Sequence, residues 1–117
     1  MKLAQALLIV MLSAPFAQHA TAQDAVLAHG KEVFDLWCKA CHKPLNPGDQ
    51  PVAGTSSLQR KYNGTKPAAL EQRTDLSATT IRVIVRHGVK SMPASRKTEI
   101  SDSDLDALAA YLTAKSN

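Results

Sequence analysis

Trp37-Cys38-Lys39-Ala40-Cys41-His42 sets two cysteines three positions apart and puts a histidine directly after the second. That spelling is C-x-x-C-H, the attachment signature of c-type haem. Two thiols one helical turn apart can add to the two vinyl groups along one edge of a porphyrin, and the adjacent imidazole is then held beneath the iron. Cys38 and Cys41 are therefore expected as thioether anchors of a single haem c, with His42 as the proximal axial ligand.

Three other chemistries could use the same residues. Cys38 and Cys41 are the only cysteines in the sequence, and in an oxidising compartment they could close on each other as a disulfide. Trp-Cys-x-x-Cys is also how a thioredoxin-like thiol oxidoreductase spells its active site. Such a site follows a buried β-branched strand and precedes a βαβ pattern, whereas Gly30-Lys31-Glu32-Val33-Phe34-Asp35-Leu36 reads as an amphipathic helix. Zinc would need two more ligands, and His29 and His87 lack finger spacing.

Upstream of the motif, Asp24 can cap a helix running from Ala25 to Trp37, with Val26, Val33, Phe34 and Trp37 on one side. Gly30 inside that helix costs about 1 kcal/mol relative to Ala. It would be useful if another helix crossed closely there; the alternative is a helix that starts only at Lys31. Downstream, Lys43 to Tyr62 carries Pro44, Pro47, Gly48, Pro51 and Gly54 without apolar periodicity, and is expected to be a loop. A loop of that length is unusual in a compact domain but natural against a porphyrin face. Pro51 is a candidate to accept the ring N–H of His42 on its carbonyl, or is a plain turn proline.

Pro67 is placed to open a short helix through Ala68, Ala69 and Leu70 to Gln72. Asp75 and Ser77 offer caps for Ala78 to His87, in which Ile81, Ile84 and Val85 fall at helical spacing. Propensity alone would make Ile81-Arg82-Val83-Ile84-Val85 a strand, but no other segment could pair with it, and Gly88 follows as a helix stop. Val89 to Ala94 is an irregular link. Ser101 with Asp104 spells a capping box for a final helix reaching Ala114, with Leu105, Leu108, Ala109 and Leu112 as its apolar stripe and Tyr111 beside it. This helix is the expected partner of Gly30.

Lys2, the apolar run Leu3 to Ala14, and Ala20-Thr21-Ala22 spell a cleavable export leader over residues 1–22. Pro15, Gln18 and His19 interrupt the apolar run short of the ~20 residues that a membrane span needs. The remainder, 23–117, is expected to be one domain, exported to a bacterial periplasm. Removing the leader takes Met1 and Met11, which leaves Met92 as the only methionine. A lone methionine is more often a core filler, but Met92 stands in a link directly before Pro93, where there is no helical face to complete. Met92 is thus the expected sixth iron ligand, ahead of His29, expected to be solvated, and His87, whose charge suits a helix C-terminus. His/Met ligation closes both axial positions and raises the reduction potential, which suits passage of single electrons rather than substrate chemistry.

The formal charge is +4, with 14 Lys and Arg against 10 Asp and Glu. Two haem propionates would offset much of it, so charge gives nucleic-acid binding little support. Arg60, Lys61 and Tyr62 could reach those propionates or form an exposed basic turn, and the same holds for Arg96 and Lys97. Lys39, Lys43 and Lys90, near the expected ligands in sequence, are the candidates for steering an acidic redox partner. Aromatic residues make up only 4% of the chain, so a covalent haem would supply much of a small core.

Gly30 with Phe34, Cys38-Lys39-Ala40-Cys41-His42, Met92-Pro93, and the Leu108, Tyr111, Leu112 face resemble a class I c-type cytochrome across nearly all of residues 23–117. The resemblance implies an all-α fold of three to five helices around one covalently bound haem, its first and last helices crossing near Gly30. Cys41-His42-Lys43-Pro44, Gln50-Pro51-Val52 and Ile84 to Ala94 are further similar to the cytochrome subunits of p-cresol methylhydroxylase and related 4-alkylphenol flavocytochromes. That similarity implies an FAD-containing, vanillyl-alcohol-oxidase-like dehydrogenase subunit as electron donor. Its downstream acceptor would be another cytochrome or a cupredoxin. Asn63 to Arg73 is longer than expected for the p-cresol protein, which opens the substrate to larger phenols such as eugenol or vanillyl-type compounds. A free-standing shuttle serving a respiratory oxidase or another dehydrogenase is the alternative.

Overall fold

In a computed structural model of the chain, which describes residues 17–116, the first and last helices cross at Gly30. These are α1 (Ala17–Trp37) and α5 (Asp102–Thr113). A Cβ at Gly30 would lie 2.1 Å from the carbonyl oxygen of Ala107 and 2.7 Å from the Cβ of Tyr111. The helix does not begin late at Lys31; Gly30 is inside it because only a hydrogen fits between the two backbones.

Around the crossing the apolar faces close into one core. Val33 and Phe34 of α1 meet Leu105, Leu108, Ala109 and Leu112 of α5, with Ile81 and Val85 of α4 (Ala78–His87) and the lone Ile100 completing the cluster. Phe34 is fully buried, its ring 6.0 Å from that of Tyr111. Val26 and Trp37, expected on the same buried side of α1, are instead exposed. Crossing helices touch only near the crossing point, and these two residues sit beyond it.

The helix ends follow local chemistry. Ser77 caps α4 by accepting the Thr80 N–H at 3.1 Å, while Asp75 is taken up by Arg73 and Lys66. Gly88, at φ 71°, stops α4, its N–H donating to the Ile84 carbonyl at 2.8 Å. At α5 the capping box is complete: the Ser101 hydroxyl accepts the Asp104 N–H at 3.1 Å and Asp104 accepts the Ser101 N–H at 3.2 Å. Ile100 and Leu105, both buried, flank that box as a hydrophobic staple, which fixes the angle at which the chain enters α5.

Several expected boundaries are corrected. α1 runs through Asp24, because the alanine-rich residues before it continue the helix, so Asp24 caps nothing. Residues 43–62 are not one loop: α3 (Ala53–Tyr62) occupies their second half, ended by Asn63 in the left-handed conformation at φ 46°. Pro67 does not open a helix; Leu70–Gln72 forms only a 3-10 turn. The final helix ends at Thr113, followed by a 3-10 turn at Ala114–Ser116. The leader falls largely on residues 1–16, which lie outside the described residues.

His29 is not merely solvated. Its Nε2–H donates to Asp104 Oδ1 at 2.7 Å, joining α1 to the first turn of α5. That bond, with a lesser contribution from Glu32, raises the His29 pKa above its ordinary 6.5. Ser101 first, and His29 second, lower that of Asp104 below 3.8.

Helix propensity alone makes Gly30→Ala stabilising by about 1 kcal/mol, whereas the contact with Ala107 makes it destabilising. Overpacking at such a site costs about 1–3 kcal/mol, so the midpoint of denaturant unfolding should fall; a rise would refute the close crossing. A group whose folded pKa is raised contributes stability that is full below its unfolded value and disappears as pH rises through the folded one. The stability difference between the parent and His29→Gln should therefore be largest below pH 6.5 and vanish on the alkaline side. A difference independent of pH would dissolve the pair.

Candidate functional site

Cys38 closes α1 and opens α2 (Lys39–His42). Its N–H still donates to Phe34 at 2.9 Å, and its carbonyl accepts both Cys41 N–H at 3.1 Å and His42 N–H at 2.9 Å. The helical path thus bends but does not break, and the two thiols stand one turn apart on one face. Both cysteines are unpaired, Cys38 half-buried against the core and Cys41 exposed. Burial first, and the Cys41 charge second, push the Cys38 thiol up to about 11. A thiol-exchange nucleophile needs the opposite shift, and among the described residues there is no strand beyond the bridge between Val89 and Met92 from which a thioredoxin-like unit could be built.

α3 packs onto this turn through two small residues. A Cβ on Gly54 would lie 2.5 Å from His42 Cε1 and 2.6 Å from both His42 Nδ1 and the Cys41 carbonyl. Thr55, buried beside it, donates its hydroxyl to the Lys43 carbonyl at 2.7 Å and lies 3.5 Å from that of Cys41. The imidazole is therefore held close against the start of α3. Its Nδ1 is buried and has no hydrogen-bond partner; the expected bond to the Pro51 carbonyl is not formed, and Pro51 is exposed. Burial lowers the His42 pKa, which keeps the ring neutral, the form whose nitrogen can ligate a metal.

Met92 arrives from the other side of the core. Val89 and Met92 exchange backbone bonds of 3.0 and 2.9 Å, with Lys90 at φ 54° turning the chain between them. Gly88 lets this turn close, since a Cβ there would lie 2.6 Å from the Met92 carbonyl. The Met92 side chain is partly buried and packs on the same cluster as Cys38. His87, by contrast, donates Nδ1–H to the Val83 carbonyl at 2.9 Å. With His29 on Asp104, both rival histidines have other partners. No cluster of three potential metal ligands from His, Cys, Asp and Glu occurs among the described residues, against zinc.

Arg60 and Lys61 are exposed in the last turn of α3, as the basic-turn alternative expects. Arg60 lies against the Ser57 hydroxyl at 3.3 Å and Lys61 lies 5.2 Å from the Tyr62 ring centre. Lys97 pairs with Asp102. Arg73, which no motif singles out, is only 5% exposed. It stacks 4.6 Å from the centre of the Tyr62 ring and pairs with Asp75, whose carboxyl it holds, together with Lys66, well below the usual carboxylate range. Lys66 also lines a cleft of about 490 Å³ of mixed polarity with Pro44, Leu45, Thr55, Gln59 and Gln72. None of Cys38, Cys41, His42 or Met92 lines it, so the chemistry-bearing side chains and this cleft are adjacent through Thr55 rather than the same.

Two unpaired thiols on one helical face, a neutral imidazole with an orphaned nitrogen and a thioether against the same core fit a covalently tethered porphyrin. The family described as cytochrome C oxidase, cbb3-type, subunit III matches residues 25–112. Among individual proteins, a cytochrome c6 of Synechocystis sp. is 35% identical over 104 residues, covering 89% of this chain and 78% of its own. A cytochrome c6 of Cyanidium caldarium is 29% identical over 108 residues, covering 92% and 88%. The 4-cresol dehydrogenase (hydroxylating) cytochrome c subunit of Pseudomonas putida is 30% identical over 90 residues, covering 77% of this chain and 63% of its own. No solved structure matches the chain.

Thr55→Val should cost about 1–3 kcal/mol, because it strands the Lys43 carbonyl, and Gly54→Ala should displace the His42 ring outright. The His42 ring resonances in an NMR spectrum would move in both variants. A spectrum unchanged by Gly54→Ala would show that α3 does not hold the imidazole.

Proposed function

The chain belongs to the class I c-type cytochromes, and from that membership we propose which residues serve its haem and which protein feeds it. As in that family, the chain carries haem c and transfers electrons. The haem supplies a one-electron couple. Cys38 and Cys41 would tether it, and His42 at the end of α2 and Met92 in the turn after Gly88 would ligate its iron. The single observation that carries this assignment is the pair of unpaired thiols at Cys38 and Cys41, one turn apart and followed at once by the His42 imidazole, which burial favours in its neutral form.

The chain's own residues then set the working conditions. Gly54 and Thr55 limit rotation of the imidazole, and burial keeps it neutral. Phe34 and Leu108, both fully buried, exclude water from the core that Cys38 and Met92 share. Leu36 and Trp37 are 74% and 48% exposed directly before Cys38, so the tethered edge adjoins apolar surface. Lys39 is engaged by Asp35 at 3.1 Å. Lys90, exposed at the tip of the Met92 turn, has no ion-pair partner among the described residues and is the better placed to steer an acidic partner.

The electron donor we favour is an FAD-containing dehydrogenase subunit acting on alkylphenols, with a second cytochrome or a cupredoxin as acceptor. The similarity to the Pseudomonas putida subunit supports this. The cytochrome c6 similarities support a second possibility, a free shuttle between larger redox proteins. Either role places the chain in the periplasm after cleavage of residues 1–22; no helix among the described residues is long and apolar enough to cross a membrane.

Purification from the native host separates the two roles: an FAD protein co-eluting in fixed ratio supports the subunit, and a cytochrome eluting alone supports the shuttle. Met92→Ala should abolish the methionine-to-Fe(III) charge-transfer band and lower the reduction potential. An unaltered band would mean that another residue is the sixth ligand.

A further inference from the structure

We propose that Arg86 is the positioning residue for Met92: its guanidinium fixes the chain just beyond the thioether, and without it the thioether is not held in place. The proposal rests on Met92 being the sixth iron ligand. Arg86 lies in the last turn of α4 with its side chain only 18% exposed. Its Nη1 donates to the Ser95 carbonyl at 3.2 Å and its Nη2 to Asp102 Oδ1 at 2.9 Å. Ser95 is tied to the same turn a second time, its N–H donating to the Val85 carbonyl at 2.8 Å.

Met92 is thereby suspended between two fixed points. Upstream, Gly88 and the paired Val89–Met92 bonds set where the turn leaves α4. Downstream, Ser95 is returned to α4, and Asp102, the first residue of α5, is drawn to the same guanidinium. One planar fork reaches the Met92 link and the start of α5 together, in a fixed geometry that a compact ammonium with freely rotating donors does not impose. Lys97 also binds Asp102, but from the segment between Ser95 and α5, so it holds nothing on α4.

The fold supplies a matched control. Arg82, one turn earlier on α4, also reaches α5, its Nε donating to Asp106 at 2.7 Å. That pair is more exposed and touches no part of 88–95. If Arg86 acted only by docking α4 on α5, Arg82 would act similarly.

The test uses the haem-loaded protein and exogenous imidazole as a competitor for the iron. In Arg86→Gln, imidazole should displace Met92 with an affinity raised roughly tenfold, the worth of one charge-assisted hydrogen bond. The amide of Ser95 should also exchange faster. Arg82→Gln should leave both measurements at their parent values. Arg86→Lys should resemble Arg86→Gln, and full recovery by lysine would overturn the proposal by reducing the effect to charge. Equal effects from Arg82→Gln and Arg86→Gln would overturn it as well. If Arg86→Gln does not take up haem, Asp102→Asn, which releases the far end of the fork, should raise imidazole affinity in its place, and unchanged affinity would count against the clamp. Met92→Ala tells the two levels apart. A charge-transfer band that survives in Met92→Ala defeats the ligand assignment, whereas a Met92-dependent band with unchanged imidazole affinity in Arg86→Gln defeats the Arg86 proposal alone.

Discussion

The Ala107 carbonyl lies so close to Gly30 that no side chain fits between them, and both halves of the site are referred to that contact. From Gly30, α1 runs two turns to Cys38. From Ala107, α5 runs back to Asp102, which holds Arg86 and, through it, the segment after Met92. If the helices stood apart by the width of a methyl group, thiol anchors and thioether would separate. Phe34 and Tyr111 fill the wedge on one side and the His29–Asp104 bond closes the other, so the crossing is fixed in angle as well as in distance.

The His42 side of the site is built on another principle. No apolar stripe docks α3; a glycine lies against the imidazole and a threonine hydroxyl satisfies a backbone carbonyl. Such contacts are short and directional, and they define an orientation where a greasy face would allow sliding. An imidazole that must present one nitrogen to a metal gains from that kind of support. Between α3 and the 3-10 turn the chain keeps a buried arginine on a tyrosine face, paired with Asp75, so polar contacts hold this part of the protein where the apolar core holds the helix crossing.

The sequence revealed those parts of the fold whose signals are periodic or stereochemical. The Ala78–His87 helix, its Ser77 cap and Gly88 stop, the capping box at Ser101 and the close approach at Gly30 all follow from residue spacing. α3 did not, because its inward face is Gly54 and Thr55 and no hydrophobic period marks it; Pro51 and Gly54 looked like loop residues when one precedes a helix and the other packs inside it. Arg73 escaped notice for a similar reason, since a buried guanidinium depends on Tyr62 and Asp75 being brought to it by the fold. Ile100 could have been found: a lone β-branched residue just before a capping box is half of a hydrophobic staple. For the candidate site, the four residues singled out from spelling fall into two turns, of which Cys38 and Met92 pack on the shared core and Cys41 is exposed, while the groups around them, Gly54, Thr55 and Arg86, carry no motif at all.

The hexapeptide around Cys38 is ambiguous as a string, and its setting in the fold counts against thiol exchange. A dithiol that exchanges disulfides needs a thiolate, usually won at a helix N-terminus or beside a cation. Cys38 has a helical residue behind it and apolar neighbours, and its nearest charged influence is the other thiol, so its proton is held more tightly than in water. Lys39, the closest cation in sequence, is already drawn to Asp35. The same burial that makes Cys38 a poor nucleophile makes it a good tether: a thioether carries no charge and loses nothing in an apolar setting. His42 obeys the same logic, since desolvation favours its neutral, ligating form. One environment of low polarity thus disfavours thiolate formation at Cys38 and favours the neutral imidazole at His42.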